Sequence, residues 1–245
     1  MSVPVHSIHP SARIGDSCKI GWYAVIHEAA VIGDGAEIGD HVVIGPGTCL
    51  GQGVRIGPGS MIGRQPSANA RMKRKPVVLP PLQVGAGTSI GANVVLYAGS
   101  EISEDVFIAD HASIRENVRI GHRSVIGRAV TIELNTVIGA RVVVQTAAYI
   151  TGDMTIEDDV FIGPRVSTSN DKYMGKRPYA YQGATIRRGA AIGNNATLLP
   201  GIEIGEEAII GGGAVVSRSV PNRQVWVGNP ARLLRPATQE KGEST

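Results

Sequence analysis

Few residues in this chain are suited to do chemistry, and they lie far apart in sequence. His111, in Ala109-Asp110-His111-Ala112, is an imidazole directly after a carboxylate, the pairing of a general base whose tautomer an acid helps to set. Histidine also tolerates a left-handed turn as asparagine does, so a conformational role is open at the same position. Residues 168–173 read Thr-Ser-Asn-Asp-Lys-Tyr, which places Asn170, Asp171 and Tyr173 together as groups able to orient a small polar substrate. Asn170 cannot accept a proton as a base does, whereas the neighbouring Asp171 can. Arg187 and Arg188 form a basic pair whose forked donors suit phosphate, or else an exposed basic corner. Asn117, Asn135 and Asp153 recur every 18 residues, as a polar ladder or as three turn residues. His122 reads as an exposed corner, His27 and His41 as structural, and His6 and His9 carry no signal.

Composition limits the scaffold that can hold these groups. Of 245 residues, 32 are glycine, while aromatics make up 4% and charged residues 18%, so the core must be aliphatic. Neither a collagen period nor an apolar run long enough to span a bilayer occurs. The first ten residues lack the charged-then-apolar pattern of a signal peptide, and Cys18 and Cys49 are too few for a disulfide framework, so a cytoplasmic setting is expected. A net charge of +3 gives no reason to expect nucleic acid.

The positioning elements follow from one period. Stepping by six from Ile8 to Ile62, from Val84 to Thr168 and from Ile186 to Val216 gives 31 positions, of which 30 are Ile, Leu or Val. These positions hold 24 of the 26 isoleucines. A side chain stepped by six wanders around a helix, so the period belongs to short strands joined by corners. The fourth residue after each aliphatic is small or β-branched, as at Ala24, Ala30 and Val42, a second inward side chain. The third is frequently Gly, Asn or Asp, residues that accept a left-handed backbone. With three hexads closing a triangle, the chain should stack about ten coils. Two segments leave the register. Residues 63–83 carry Arg64, Arg71, Lys73, Arg74 and Lys75 without an acid and then prolines, and 169–185 mix polar and basic residues. Both read as extruded loops. The expected layout is a coil domain over 1–219, a cap over 220–235 and a disordered tail over 236–245.

This register resembles that of the hexapeptide-repeat acyltransferases, over about Ile8 to Val216. The resemblance implies an all-β fold, a left-handed parallel β-helix, and assembly as a homotrimer. The stretch from Thr168 to Tyr173 is similar to one in N-acetyltransferases of nucleotide-linked amino sugars. Galactoside and maltose acetyltransferases carry the catalytic histidine where Asn170 stands. Glucuronate-type amino-sugar enzymes carry paired asparagines one coil earlier, where this chain has Thr146 and Ala147. The hexad Ile186-Arg187-Arg188-Gly189-Ala190-Ala191 looks like the basic one that meets coenzyme A phosphates, and 211–216 and 228–232 are similar to the family's cap. The implied activity is acetyl-CoA-dependent N-acetylation of an amino sugar in surface-polysaccharide biosynthesis, with Asn170 catalytic, Asp171 and Tyr173 on the substrate, Arg187 and Arg188 on coenzyme A, and no metal; His111, from its own pairing with Asp110, is the expected catalytic base. A non-catalytic scaffold would need the prism and nothing more. A γ-type carbonic anhydrase would need three histidines around zinc, and His111 and His122 have no third nearby.

Overall fold

The computed structural model describes residues 5–75 and 77–237. Pro76 and the tail 238–245 lie outside the described residues. Within them the chain is a stack of two-residue strands, such as Val25–Ile26 and Val31–Ile32, each followed by a corner. Every third strand pairs in parallel with its counterpart one coil away, and with one antiparallel strand added at the C-terminal end this yields three sheets of 11, 10 and 12 strands. Register partners are 18 residues apart in regular coils, as in Ile114 with Ile132 and Ile120 with Ile138. Ten full coils result, followed by an eleventh in which Val220 bridges to Ile204 in place of a strand. This is the stack of parallel coils that the register predicts, with the left-handed β-helix that the resemblance implies.

The hexad produces this shape for reasons visible at each position. The large aliphatic and the small residue four later both point inward, so Ile26, Ala30, Ile32 and Ala36 are all at most 2% exposed. Buried aliphatics form one continuous core cluster running to the cap. The third residue after each aliphatic turns the corner in the left-handed region, including Ala29 (φ 55°), His111 (φ 60°), Ala147 (φ 59°) and Arg165 (φ 57°). Such a conformation costs roughly 1–2 kcal/mol for an L-residue with a Cβ. Stacking offsets it, because the corner amide donates to the coil below: His111 N to Ala92 O at 2.9 Å and Ala147 N to Arg128 O at 2.8 Å. Aspartates one position before this residue bind the same neighbour, as in Ala92 N to Asp110 Oδ1 at 2.8 Å. Glycine directly after the aliphatic is required by close approach, since a Cβ on Gly33 would stand 2.6 Å from Gln52 N.

The breaks in register are the two expected loops. The first leaves the strand Met61–Arg64 and returns at Gln83–Val84, and the second leaves Ser167–Thr168 and returns at Thr185–Ile186. The irregular parts are therefore 65–82 and 169–184. At the C-terminus the strand Gln224–Val227 adds in parallel to Ile209–Ile210, and Arg232–Pro236 folds back antiparallel upon it. Trp226, 7% exposed, closes the core at that end, with the Arg218 guanidinium 5.2 Å above its ring. Pro236 thus belongs to a strand.

Candidate functional site

Both loops emerge at the same edge of the prism, where the first sheet passes into the second. Their anchor strands lie five coils apart in the first sheet, and the intervening corners form the floor between them. Arg115 and Glu116 follow Ile114 on that floor, Glu133 and Leu134 follow Ile132, and Thr151 and Gly152 follow Ile150. Met72, Lys73 and Arg74 of the first loop and Met174, Gly175 and Tyr181 of the second complete a cavity of about 480 Å³. Asn170 and Tyr149 also line it.

A ladder of polar side chains holds the loops to the edge. Asn117 Nδ2 donates to Asn135 Oδ1 at 3.3 Å, and Asn135 Nδ2 donates to Asp153 Oδ1 at 3.2 Å. Asp153 then receives Asn170 Nδ2 of the second loop at 3.1 Å and Arg74 Nη1 of the first at 2.8 Å. The three-residue ladder is real, and its polar groups are engaged with one another and with the loops. Arg74 also lies 4.5 Å over the Tyr181 ring, so each loop touches the other.

The charged groups on the floor are unequally paired. Arg115 grips Glu116 with Nε at 2.7 Å and Nη2 at 2.9 Å, and reaches Glu133 Oε2 with Nη1 at 3.5 Å. Its opposite face is covered by Tyr97, 5.1 Å from ring centroid to guanidinium. Burial pushes the Glu133 carboxyl above its ordinary range, Arg115 opposes the shift and Glu116 adds to it. Burial likewise raises the Tyr149 phenol, and the charge of Glu133 reinforces it.

A second cavity of about 810 Å³ adjoins the first and shares Lys73, Arg74, Gly175 and Tyr181 with it. Among the described residues, Lys176, Arg177 and Tyr179 supply the rest of its polar lining, which contains four cations and no carboxylate. Tyr173 does not line either cavity; its ring meets Tyr179 edge-on at 5.4 Å and carries Arg177 at 4.1 Å. Asp171 accepts the backbone amides of Tyr173 (2.9 Å) and Gly175 (2.7 Å), and so shapes the turn beside the cavity.

The remaining residues singled out from sequence stand on other edges. His111 is exposed where the third sheet passes into the first, and the Asp110 oxygen beside it is taken by Ala92 N. Arg187 and Arg188 stand where the second sheet passes into the third. Arg187 is clamped by Glu203 (2.6 Å) and Glu157 (2.8 Å), whose hydrogen bonds hold it firmly charged. The Arg188 side chain is mostly exposed, in a groove shared with Glu157, Asp158 and Glu206. Of the expected residues, the fold brings Asn170, Asp171 and Tyr173 together and keeps His111 and the arginine pair away within one chain. Sequence reasoning missed Arg115, Glu116 and Glu133, although their spacing holds the signal: Glu116, Leu134, Gly152 and Asn170 follow one another in steps of 18, and so do Arg115, Glu133 and Thr151.

Comparison with known proteins agrees with the fold. The bacterial transferase hexapeptide model of six repeats matches residues 29–64 and 183–218, and the succinyltransferase hexapeptide repeat matches 112–145. A dTDP-3-amino-3,6-dideoxy-alpha-D-galactopyranose 3-N-acetyltransferase of Aneurinibacillus thermoaerophilus is 39% identical over 56 residues, 23% of this chain and 29% of that protein. Gamma carbonic anhydrase 2 of Arabidopsis thaliana mitochondria is 36% identical over 61 residues, 24% of this chain and 22% of that protein. The chain thus spans under a third of the length of either relative. The structure of Arabidopsis UDP-N-acetylglucosamine acyltransferase superposes with a TM-score of 0.62 at 20% identity, over 96% of this chain and 73% of that one, a likeness of fold. Among the described residues, no three His, Cys, Asp or Glu side chains gather into a group able to hold a metal ion.

Proposed function

We propose that this chain, which belongs to the hexapeptide-repeat proteins, is an acyl-CoA-dependent N-acyltransferase acting on an amino group of a nucleotide-linked sugar. The observation that carries the reading is the cavity between the two loops, where Asn170, Glu133 and Tyr149 surround a space of about 480 Å³. A regular β-helix has a filled core and no pocket, so loops that build one at a shared edge supply what a scaffold lacks. The dTDP-amino-sugar N-acetyltransferase supports the choice of reaction, as does the similarity of residues 168–173 to that group of enzymes.

The chemistry is attack of the amine on the thioester carbonyl, in which the N–C bond forms first and the C–S bond breaks as the tetrahedral adduct collapses. Asn170, already fixed by Asp153, orients the acceptor. The adjoining cavity, with its four cations and Tyr179 and Tyr181, suits the phosphates and the base of a nucleotide. It is better matched to phosphate than the Arg188 groove, which three carboxylates share. Coenzyme A contact at Arg188 then depends on a neighbouring subunit.

Assembly as a homotrimer has support on the third sheet. Its outward positions run Phe107, Val125, Val143, Phe161, Ala191 and Ile209 in unbroken register. Phe107, Phe161 and Ile209 are 48%, 42% and 39% exposed, an apolar stripe of the kind that subunit contacts cover. A threefold contact joins different patches of two copies, which is how the His111 edge or Arg188 of one can frame a groove beside another.

The test is thiol release from acetyl-CoA against a panel of amino sugars linked to UDP, dTDP or GDP. The reading expects release that depends on the amine and on the nucleotide. Release with none of them, together with no affinity for coenzyme A, returns the chain to the scaffold class.

A further inference from the structure

We propose that Glu133 is the proton acceptor for the attacking amine, an assignment that rests on the acyltransferase reading above. An amine reaches the site largely as its ammonium ion and cannot attack in that form, so a group within the cavity must take its proton. Within one chain His111, the base expected from sequence, stands on another edge and lines neither loop-edge cavity.

The carboxylates near the cavity differ in their freedom to act. Asp171 is bound to two backbone amides, and Asp153 to Asn135, Asn170 and Arg74. Glu116 is 6% exposed, and both of its oxygens receive short bonds from Arg115. Glu133 lines the cavity and among the described residues meets its cation through a single 3.5 Å contact. Arg115 is therefore spent chiefly on Glu116, and Glu133 lines the cavity with lone pairs that no other described residue takes.

The groups facing Glu133 fit that task. Arg115 and Glu116 adjoin it from the preceding coil and Tyr149 from the following one, while Lys73, Arg74 and Tyr181 close the cavity from the loops. The net effect of burial and of Glu116 is to raise its carboxyl, which brings its basicity closer to that of a base working near neutrality. Tyr149, whose ionisation is made harder by burial and by the Glu133 charge, stays neutral in the same cavity.

The proton balance closes without any other reagent. Glu133 takes one proton from the ammonium and passes it to solvent, leaving a neutral amine. The nitrogen lone pair then attacks the thioester carbon, and Glu133 takes the second proton from the cationic nitrogen of the tetrahedral adduct. As the adduct collapses, the C–S bond breaks and the sulfur leaves as thiolate, which receives that proton from Glu133. The products are the amide, free coenzyme A thiol and one proton in solution.

The experiment compares the wild type with Glu133→Gln and Glu133→Asp by amine-dependent thiol release across pH. Gln keeps the shape and the 3.5 Å contact while losing basicity, so thermal unfolding should match the wild type. The expected kcat loss for Glu133→Gln is about 10²- to 10⁴-fold, with KM for acetyl-CoA unchanged. The lower limb of the kcat/KM profile, which lies above the ordinary carboxylate range in the wild type, should vanish in the Gln variant and persist in the Asp variant. The acceptor's own deprotonation, which supplies the nucleophile, adds a rise at higher pH common to all three. Full turnover by Glu133→Gln with the lower limb intact overturns the assignment and leaves the acyltransferase reading standing. A wild type with no amine-dependent release overturns both.

Discussion

Asp153 joins both loops to the prism, so substituting it should loosen the loops without harming the coils. Asp153→Asn is the informative change, because Asn keeps the side-chain shape and tolerates the left-handed backbone at this corner (φ 61°). It turns one acceptor oxygen into a donor. If that atom replaces Oδ2, it faces Asn170 Nδ2 and Arg74 Nη1, both donors, at positions where the wild type has bonds of 3.1 and 2.8 Å. If it replaces Oδ1, the donors it faces are Asn135 Nδ2 and Arg74 Nη1. A hydrogen bond to a charged group contributes about 1.5 kcal/mol at the lower end of its range. The Arg74 side chain is 34% exposed, which keeps the ion pair to about 0.5 kcal/mol. A loss of about 2 kcal/mol corresponds to roughly 30-fold in the opening equilibrium. Amide hydrogen exchange read by mass spectrometry should show about that acceleration in 65–82 and 169–184, with coil peptides unchanged. Unchanged exchange in both loops, or acceleration spread through the coils, would refute the view that Asp153 fastens the loops locally.

Three further outcomes can be checked. Ile126 is fully buried, so Ile126→Asp places an unpaired charge between stacked coils and should cost several kcal/mol, whereas Arg119→Ala on the exposed face should leave thermal stability nearly unchanged. The hydrogen bond from Arg187 holds the Glu157 carboxyl below its ordinary range. Its contribution is present above the unfolded-state value and is lost as pH falls through the lower folded-state value; Arg187→Ala should therefore flatten the acid side of the stability curve measured by urea unfolding. Steady-state rates should fall in Asn170→Ala through poorer placement of the amine; His111→Ala should retain turnover, and a loss of 10²-fold or more there would return the base to the His111 edge.

The prism was legible because its cause is local. Six residues specify one strand and one corner, and Ile8, Ile14 and Ile20 already show the step. The coil count follows by division, and both loops appear as gaps in it. What escaped was their meeting. Counting hexads in threes puts Ile62 and Thr168 on the same face, so a shared edge was available from sequence. The direction in which each loop folds was not, since it depends on Arg74 finding Asp153 across 79 residues and on Tyr181 receiving Arg74. Glu133 was hidden for a related reason. In sequence it is one more polar residue after an isoleucine, and its distinction comes from Arg115, one coil below, preferring Glu116. Arg187 shows the converse, a basic pair in sequence whose first member is neutralised by acids 30 and 16 residues away.

The two loop anchors stand five coils apart on one straight edge, a separation of about 24 Å at the ordinary strand spacing. The span between them can change only in whole coils. Deleting or duplicating one block of 18 residues would bring the loops closer or move them apart by about 4.8 Å and leave every other corner in phase. The fold therefore sets the length of the edge between its two loops digitally, with loop sequence adjusting the chemistry of the cavity and coil number its reach.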